Sequence, residues 1–262
     1  TYVLPFGFSK AAVQTKGTDL AATIVASTGV FTTPTHGLAI GDRVVASAIV
    51  TTTGFTINTY YYVITVPSST TFTLSATSGG SALSLTTNGS APIAALHAVR
   101  LRLANKITSN SDTKSVNYEG DNTIIKVNNL QSVGFTFDQD AFPIGAHARI
   151  YSLTEVTASL PDSYTSAFGL FGSSAELTGK TVGFWGEASD TQTSAAGLQS
   201  TKTKRYWYPI GNLTASKPPE LTTSDKPTAW QYTFSVTNMA PTVDVMGVAL
   251  PVTGAPLIVM DK

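Results

Sequence analysis

The chain contains no cysteine, which excludes disulfides and thiolate metal sites and leaves the redox compartment open. Charge is scarce as well. Asp, Glu, Lys and Arg make up 12% of the 262 residues, about half the usual share. Sixteen basic residues balance sixteen acidic ones, so the electrostatic footprint of a tight nucleic-acid binder is missing. A surface this poor in charge is either solubilised by small polar groups or covered by neighbouring subunits, and a net charge of zero favours self-association.

Other shortages narrow the chemistry. His36, His97 and His147 fall in three different stretches without the spacing of a metal site, so structural roles are expected for them. Asp138-Gln139-Asp140 begins like a calcium loop but lacks its glycine and closing glutamate. Phosphate-binding glycine loops and nucleophile elbows are missing. Glu176 and Glu187 form a conceivable carboxylate pair of the glycosidase type, yet nothing in the sequence brings them together. No catalytic, cofactor-binding or metal-binding residue is assigned, and a non-enzymatic protein is expected. No apolar run reaches the roughly 20 residues of a membrane span; the most apolar stretch, Val243 to Met260, is interrupted by Pro251 and Pro256. Thr1 to Phe8 lacks the basic start and apolar core of a secretion signal.

What is present is β texture. From Ser27 to Ser90 the chain reads as a self-contained module. Pro34, Gly37 and Gly41 punctuate the approach to an apolar run, Arg43 to Thr51, and Tyr60-Tyr61-Tyr62-Val63-Ile64-Thr65-Val66 is a run of aromatic and β-branched residues closed by Pro67. Thr71 to Thr77 and Ala82 to Thr86 alternate polar with apolar residues and end at Gly79-Gly80 and Asn88-Gly89. The pattern predicts four short strands in a small sandwich-like module. Tyr2 to Phe8 and the small, polar stretch Ala11 to Thr23 read as an N-terminal arm.

After Pro92 the runs lengthen. Val99, Leu101 and Leu103 alternate with Arg100 and Arg102, as on a half-buried strand. Lys114 to Tyr118 and Thr123 to Val127 flank Glu119-Gly120-Asp121-Asn122 and predict a hairpin, followed by a strand at Val133 to Phe137. Asp140 and Pro143 precede a short helical pattern, with Phe142, Ala146, Ile150 and Leu153 on one face. Thr154 to Ser166 reads as loop. Strands are expected at Ala167–Phe171, Thr181–Trp185, Arg205–Tyr208, Thr228–Val236 and Val243–Val248. The class is therefore mainly β: an antiparallel sandwich or barrel with one short α-helix, plus the small inserted module.

Two resemblances follow. The module, through His36-Gly-Leu-Ala-Ile-Gly-Asp42, the Tyr triplet, Thr70-Thr-Phe-Thr-Leu-Ser75 and Gly79-Gly-Ser-Ala82, resembles one that recurs in bacteriophage tail and baseplate proteins. The remainder resembles the major tail tube proteins of long-tailed bacteriophages. That likeness rests on the hairpin at Tyr118–Asn122, the strand-then-helix passage Gly134–Leu153, the aromatic strands Phe168–Phe171 and Arg205–Ile210, and Lys226–Phe234. It implies a tail tube domain made of an N-terminal arm or strand at 1–19 and the main body at 93–262, with the module, 20–92, inserted and facing outward.

The resemblance further implies a structural virion protein of the phage tail, assembled in the host cytoplasm into stacked hexameric rings. The rings would form the hollow tube through which DNA is ejected without specific binding. Its partners would be further copies of itself and the tape measure, tail tip and tail terminator proteins, with no membrane and no cofactor. On that reading Glu119 and Asp121 face the lumen, where negative charge keeps DNA off the wall; as residues alone they fit an ordinary hairpin turn. Lys202, Lys204 and Arg205, followed by Tyr206-Trp207-Tyr208, read as a strand entering an aromatic core rather than a nucleic-acid site. The alternative is a tail adhesin or decoration protein binding host-surface glycans, with Tyr60, Tyr61 and Tyr62 as outer-surface contacts.

Overall fold

The computed structural model describes residues 8–51, 54–101, 104–120, 123–139, 144–151, 153, 178–193, 199–217, 230–236 and 238–261. Strand accounts for 55% of the structure and helix for 4%, so the protein is mainly β with one short helix. By its internal contacts the chain divides into two units. One comprises Gln14–Ala98 and Thr242–Thr253; the other comprises Thr1–Val13, Val99–Pro241 and Gly254–Lys262. Strands β1 (Phe8–Lys16) and β7 (Gly89–Leu101) run across these divisions.

The first unit is a closed antiparallel barrel of six strands. Around the barrel run β2 (Leu20–Val25), β3 (Val30–Thr32), β6 (Thr71–Ser75), β5 (Tyr61–Ser68), β4 (Arg43–Ala46) and β7. Strand β7 closes the ring by pairing with β2 from Leu20↔Ile93 to Ile24↔Gly89. Closure satisfies both edges of every strand, which is how small β modules avoid exposed ladders. The interior follows the two-residue period: Ala22 and Ile24, Val44 and Ala46, Tyr61 and Val63, Phe72 and Leu74, and Ile93 and Ala95 point inward. At its centre Phe31 stacks on Phe72, with ring centroids 5.5 Å apart, and meets Phe55 edge-on.

The barrel differs from the four-strand expectation in three places. Ala82 to Thr86 is not a strand: β3 and β5 flank β6 over Thr71 to Thr73, which leaves it only the end of that strand, where Leu83 N–H reaches the Leu74 carbonyl. The strand expected over Arg43 to Thr51 ends at Ala46, with Val50 making only an isolated bridge to Ser90. The stretch read as an arm supplies β1 and β2. Its inward residues include Ala11, Val13 and Ala22, mostly too small to signal burial in sequence.

In the second unit, β8 (Ala104–Gly120) and β9 (Thr123–Gln139) form a long hairpin, paired from Ala104↔Gln139 to Gly120↔Thr123. Strand β12 (Trp230–Val236) lies against β9 over Val133 to Gln139. Next come β11 (Gln199–Lys217) and β10 (Lys180–Thr193), and β13 (Ile258–Asp261) pairs with β11 from Lys204 to Trp207. The core is aromatic: Phe135, Phe137, Phe184, Tyr208, Tyr232 and Phe234 are all buried, with Phe135 and Phe184 centroids 4.5 Å apart. Such packing needs a strand position without a side chain. A Cβ on Gly211 would sit 2.6 Å from Phe234 Cζ and 2.8 Å from the Ser235 carbonyl oxygen.

The single described helix, α1 (Ile144–Tyr151), buries His147, Ala148, Ile150 and Tyr151 while Arg149 stays exposed. Leu153 packs against the same core. Tyr151 Oη donates to the Leu213 carbonyl at 3.2 Å. The expected cap and start at Asp140, Phe142 and Pro143, the Thr154–Ser166 loop and the strand at Ala167–Phe171 lie outside the described residues. The strand expected at Val243–Val248 is instead a tight turn, because the Asp244 carboxylate gathers the Met246 and Val248 N–H groups and Gly247 adopts φ +81°. All three tryptophans, Trp185, Trp207 and Trp230, belong to the second unit.

Candidate functional site

Three places concentrate chemistry or unsatisfied pairing. The first is a charged pair on the β10–β11 hairpin. Register places Glu187 opposite Arg205 and Trp185 opposite Trp207. Arg205 Nε donates to Glu187 Oε1 at 3.0 Å, Nη2 donates to the same oxygen, and the guanidinium carbon lies 4.5 Å from the centroid of the Trp185 ring. The Glu187 side chain is 5% exposed against 39% for Arg205. This carboxylate is thus held inside the sheet by a cation that reaches partly into solvent, and the aromatic face completes the cation's surroundings. Of the basic cluster, Arg205 is turned onto this internal partner, Lys204 is half-buried, and the Lys202 side chain lies outside the described residues. Tyr208 is buried in the aromatic core. Burial pushes its phenol up to about 12. Glu176 lies outside the described residues.

The second place is on the barrel unit. Tyr60 Oη donates to Asp244 Oδ2 at 2.5 Å, and the Arg43 guanidinium lies 4.9 Å from the Tyr60 ring centroid. Burial first, and then the Asp244 carboxylate, drive the Tyr60 phenol far above the ordinary tyrosine range. Of the other Tyr residues, Tyr61 is 5% exposed in the barrel core, with its oxygen accepting the Thr56 N–H at 2.9 Å. An outer contact for Tyr61 is thereby corrected to a packing role, because odd and even residues of a strand face opposite sides. Tyr62 is half-buried.

The third is the long hairpin. Strand β8 ends the strand order of its sheet, with β9 as its neighbour among the described residues. Glu119 pairs in register with Ile124 beside the turn; Asp121 lies outside the described residues.

The histidines do not converge. His36 Nδ1 accepts the Leu38 N–H at 2.9 Å and its ring meets Phe72 edge-on, while His147 Nδ1 lies 2.8 Å from Tyr232 Oη inside the second unit. Among the described residues no group of three His, Cys, Asp or Glu could hold a metal ion, and no helix is long and apolar enough to cross a membrane. Sequence reasoning missed the Asp244 and Arg205 partnerships. A signal existed for each: Asp244 and Glu187 are lone carboxylates inside apolar runs, and a buried carboxylate requires a partner. Searches against protein-family models, curated proteins and solved structures return no match for this chain.

Proposed function

We propose that the protein is a structural virion protein whose copies close into hexameric rings and stack into the hollow tail tube of a long-tailed bacteriophage. The observation that carries this reading is the hairpin β8–β9. Among the described residues strand β8 offers a 17-residue edge, about 55 Å of backbone donors and acceptors. Natural sheets shorten, charge or cover such an edge unless it is meant to pair. Past Val133, where β12 stops, the hairpin continues as a ribbon two strands thick among the described residues. A lone two-stranded ribbon is marginal in water. Its sequence nonetheless carries the apolar residues Val116, Ile124, Ile125, Val127 and Leu130.

Pairing of β8 with the next copy is head-to-tail, and such a contact closes into a ring when its rotation divides the circle. The low charge and zero net charge of the chain suit a surface largely covered by copies of itself and a wall that neither grips nor steers DNA. On this reading Glu119 and Asp121 are lumen candidates, and the chain works with tape measure, tail tip and tail terminator proteins. The glycan-binding alternative depends on the Tyr triplet, where Tyr61 is in the core and the Tyr60 hydroxyl is committed to Asp244.

The test is electron microscopy of the purified protein at rising concentration, beside a variant in which residues 114–129 are replaced by a two-residue turn. The wild type forms stacked rings or hollow tubes. The shortened variant keeps its tryptophan fluorescence and stays dispersed. Monomers or trimers of the wild type at high concentration, even when seeded with tail tips, would overturn the proposal in favour of a surface-binding protein.

A further inference from the structure

Two barrel strands are apolar on both faces. In β4, Val44 and Ala46 point into the barrel and Val45 points out; in β7, Ile93 and Ala95 point in while Ala94 and Leu96 point out. The outward residues are nevertheless buried, at 3% exposure for Val45, 1% for Ala94 and 8% for Leu96. Their cover is Met246, with Val245, Val248 and the Tyr60 ring packed around it. Apart from Tyr60, that cover comes from Thr242–Thr253, a remote piece of chain that returns to the barrel unit.

The returning segment holds its own shape. Asp244 Oδ1 accepts the N–H groups of Met246 at 2.9 Å and Val248 at 3.0 Å. Asp244 N–H donates to the Val248 carbonyl, Leu250 N–H to Thr242, and Gly254 N–H to Pro241, which closes the base of the loop. The second oxygen of Asp244 takes the Tyr60 hydroxyl at 2.5 Å. Asp244 itself is 3% exposed. A carboxylate buried so deeply is tolerable only with donors on both oxygens, and one of those donors belongs to the barrel.

We propose that Thr242–Thr253 is an obligatory latch of the barrel: barrel and segment open and close as one unit, with the Tyr60–Asp244 hydrogen bond as the lock. Without the segment, Val45, Ala94 and Leu96 would face water as a contiguous apolar patch. Without the barrel, the Asp244 carboxylate would lose a donor and Met246 its packing surface. The inference is independent of the tube reading, since it concerns only how one unit of one copy holds together.

Residue-resolved hydrogen exchange of the full chain tests it, in the wild type and in Tyr60→Phe, which removes the hydroxyl and keeps the ring. The Met246 and Val248 amides and the amides of the β3–β6 pairing are expected to exchange through a common opening. In Tyr60→Phe both sets speed up by the same factor, about tenfold, while amides of the β9–β12 pairing are unchanged. Met246→Ala, which leaves the lock intact and removes packing, should again accelerate both sets in parallel. Acceleration of the latch amides alone would overturn the proposal, because the segment would then be a flap on an independent barrel. Unchanged exchange in both variants would overturn it as well.

Discussion

Removing either partner of the Glu187–Arg205 pair should have unequal effects, and the inequality follows from burial. In Arg205→Met the Glu187 carboxylate, 5% exposed, loses the cation that accepts it into the sheet. Taking the cation away from a carboxylate at such depth costs about 3 kcal/mol, roughly a 150-fold fall in the folded-to-unfolded ratio. In Glu187→Gln the group left behind is a guanidinium 39% exposed, which water reaches and the Trp185 ring still faces. Solvent screening limits that loss to about 1 kcal/mol. The double variant should resemble Glu187→Gln, so the two single losses are non-additive. Denaturant unfolding followed by tryptophan fluorescence is suited to this comparison, because Trp185, Trp207 and Trp230 all report on the unit that contains the pair. Equal losses in the two single variants, or an Arg205→Met variant as stable as wild type, would refute the argument from burial.

Gly211→Ala should destabilise the same unit by about 2 kcal/mol, since the new methyl meets Phe234 and the Ser235 carbonyl within the paired strands; fluorescence-detected unfolding would show it, and a neutral result would mean that the strands can separate at no cost. Alkaline stability should fall between pH 10 and 12. The Tyr208 phenol, raised from 10.0 to about 12 by burial, keeps its proton in the folded chain where the unfolded chain has lost it, so its stabilising effect is full below pH 10 and fades as pH rises through 12. Tyr208→Phe should flatten that decline, as read from unfolding curves and phenolate absorbance across the window.

Where bulky residues alternate, the fold was legible in the sequence. Val133 to Phe137, Thr181 to Trp185, Tyr60 to Val66 and Thr71 to Thr77 lie wholly or mainly in strands, and the hairpin around Glu119 to Asn122 has the register its turn implies. Strands β1 and β2 were hidden because their inward residues include alanines, which leave little periodic signal. Val243 to Val248 misled for the opposite reason. Its apolar texture was real, but Asp244 spends its carboxylate on local N–H groups and bends the chain into a turn. The continuous apolar runs at Val44–Ala46 and Ile93–Leu96 held a clue. Strands apolar on both faces require cover on both, though nothing local says that the cover comes from beyond residue 240. Glu187 and Arg205 likewise became partners only through strand register, which single-sequence periodicity does not supply.

The latch also sets an order of events during synthesis. The six barrel strands have left the ribosome by Leu101, while Asp244 and Met246 follow about 140 residues later, roughly 7 to 30 s at ordinary elongation rates. Through that interval a nascent chain holds an almost complete barrel whose Val45, Ala94 and Leu96 have nothing to rest on. On a polysome, neighbouring nascent chains present the same uncovered surface at high local density. The rate at which Thr242–Thr253 emerges therefore bears on yield: slow codons before Thr242 would lengthen the sticky interval, and a chaperone that shields apolar surface would be needed most at that stage.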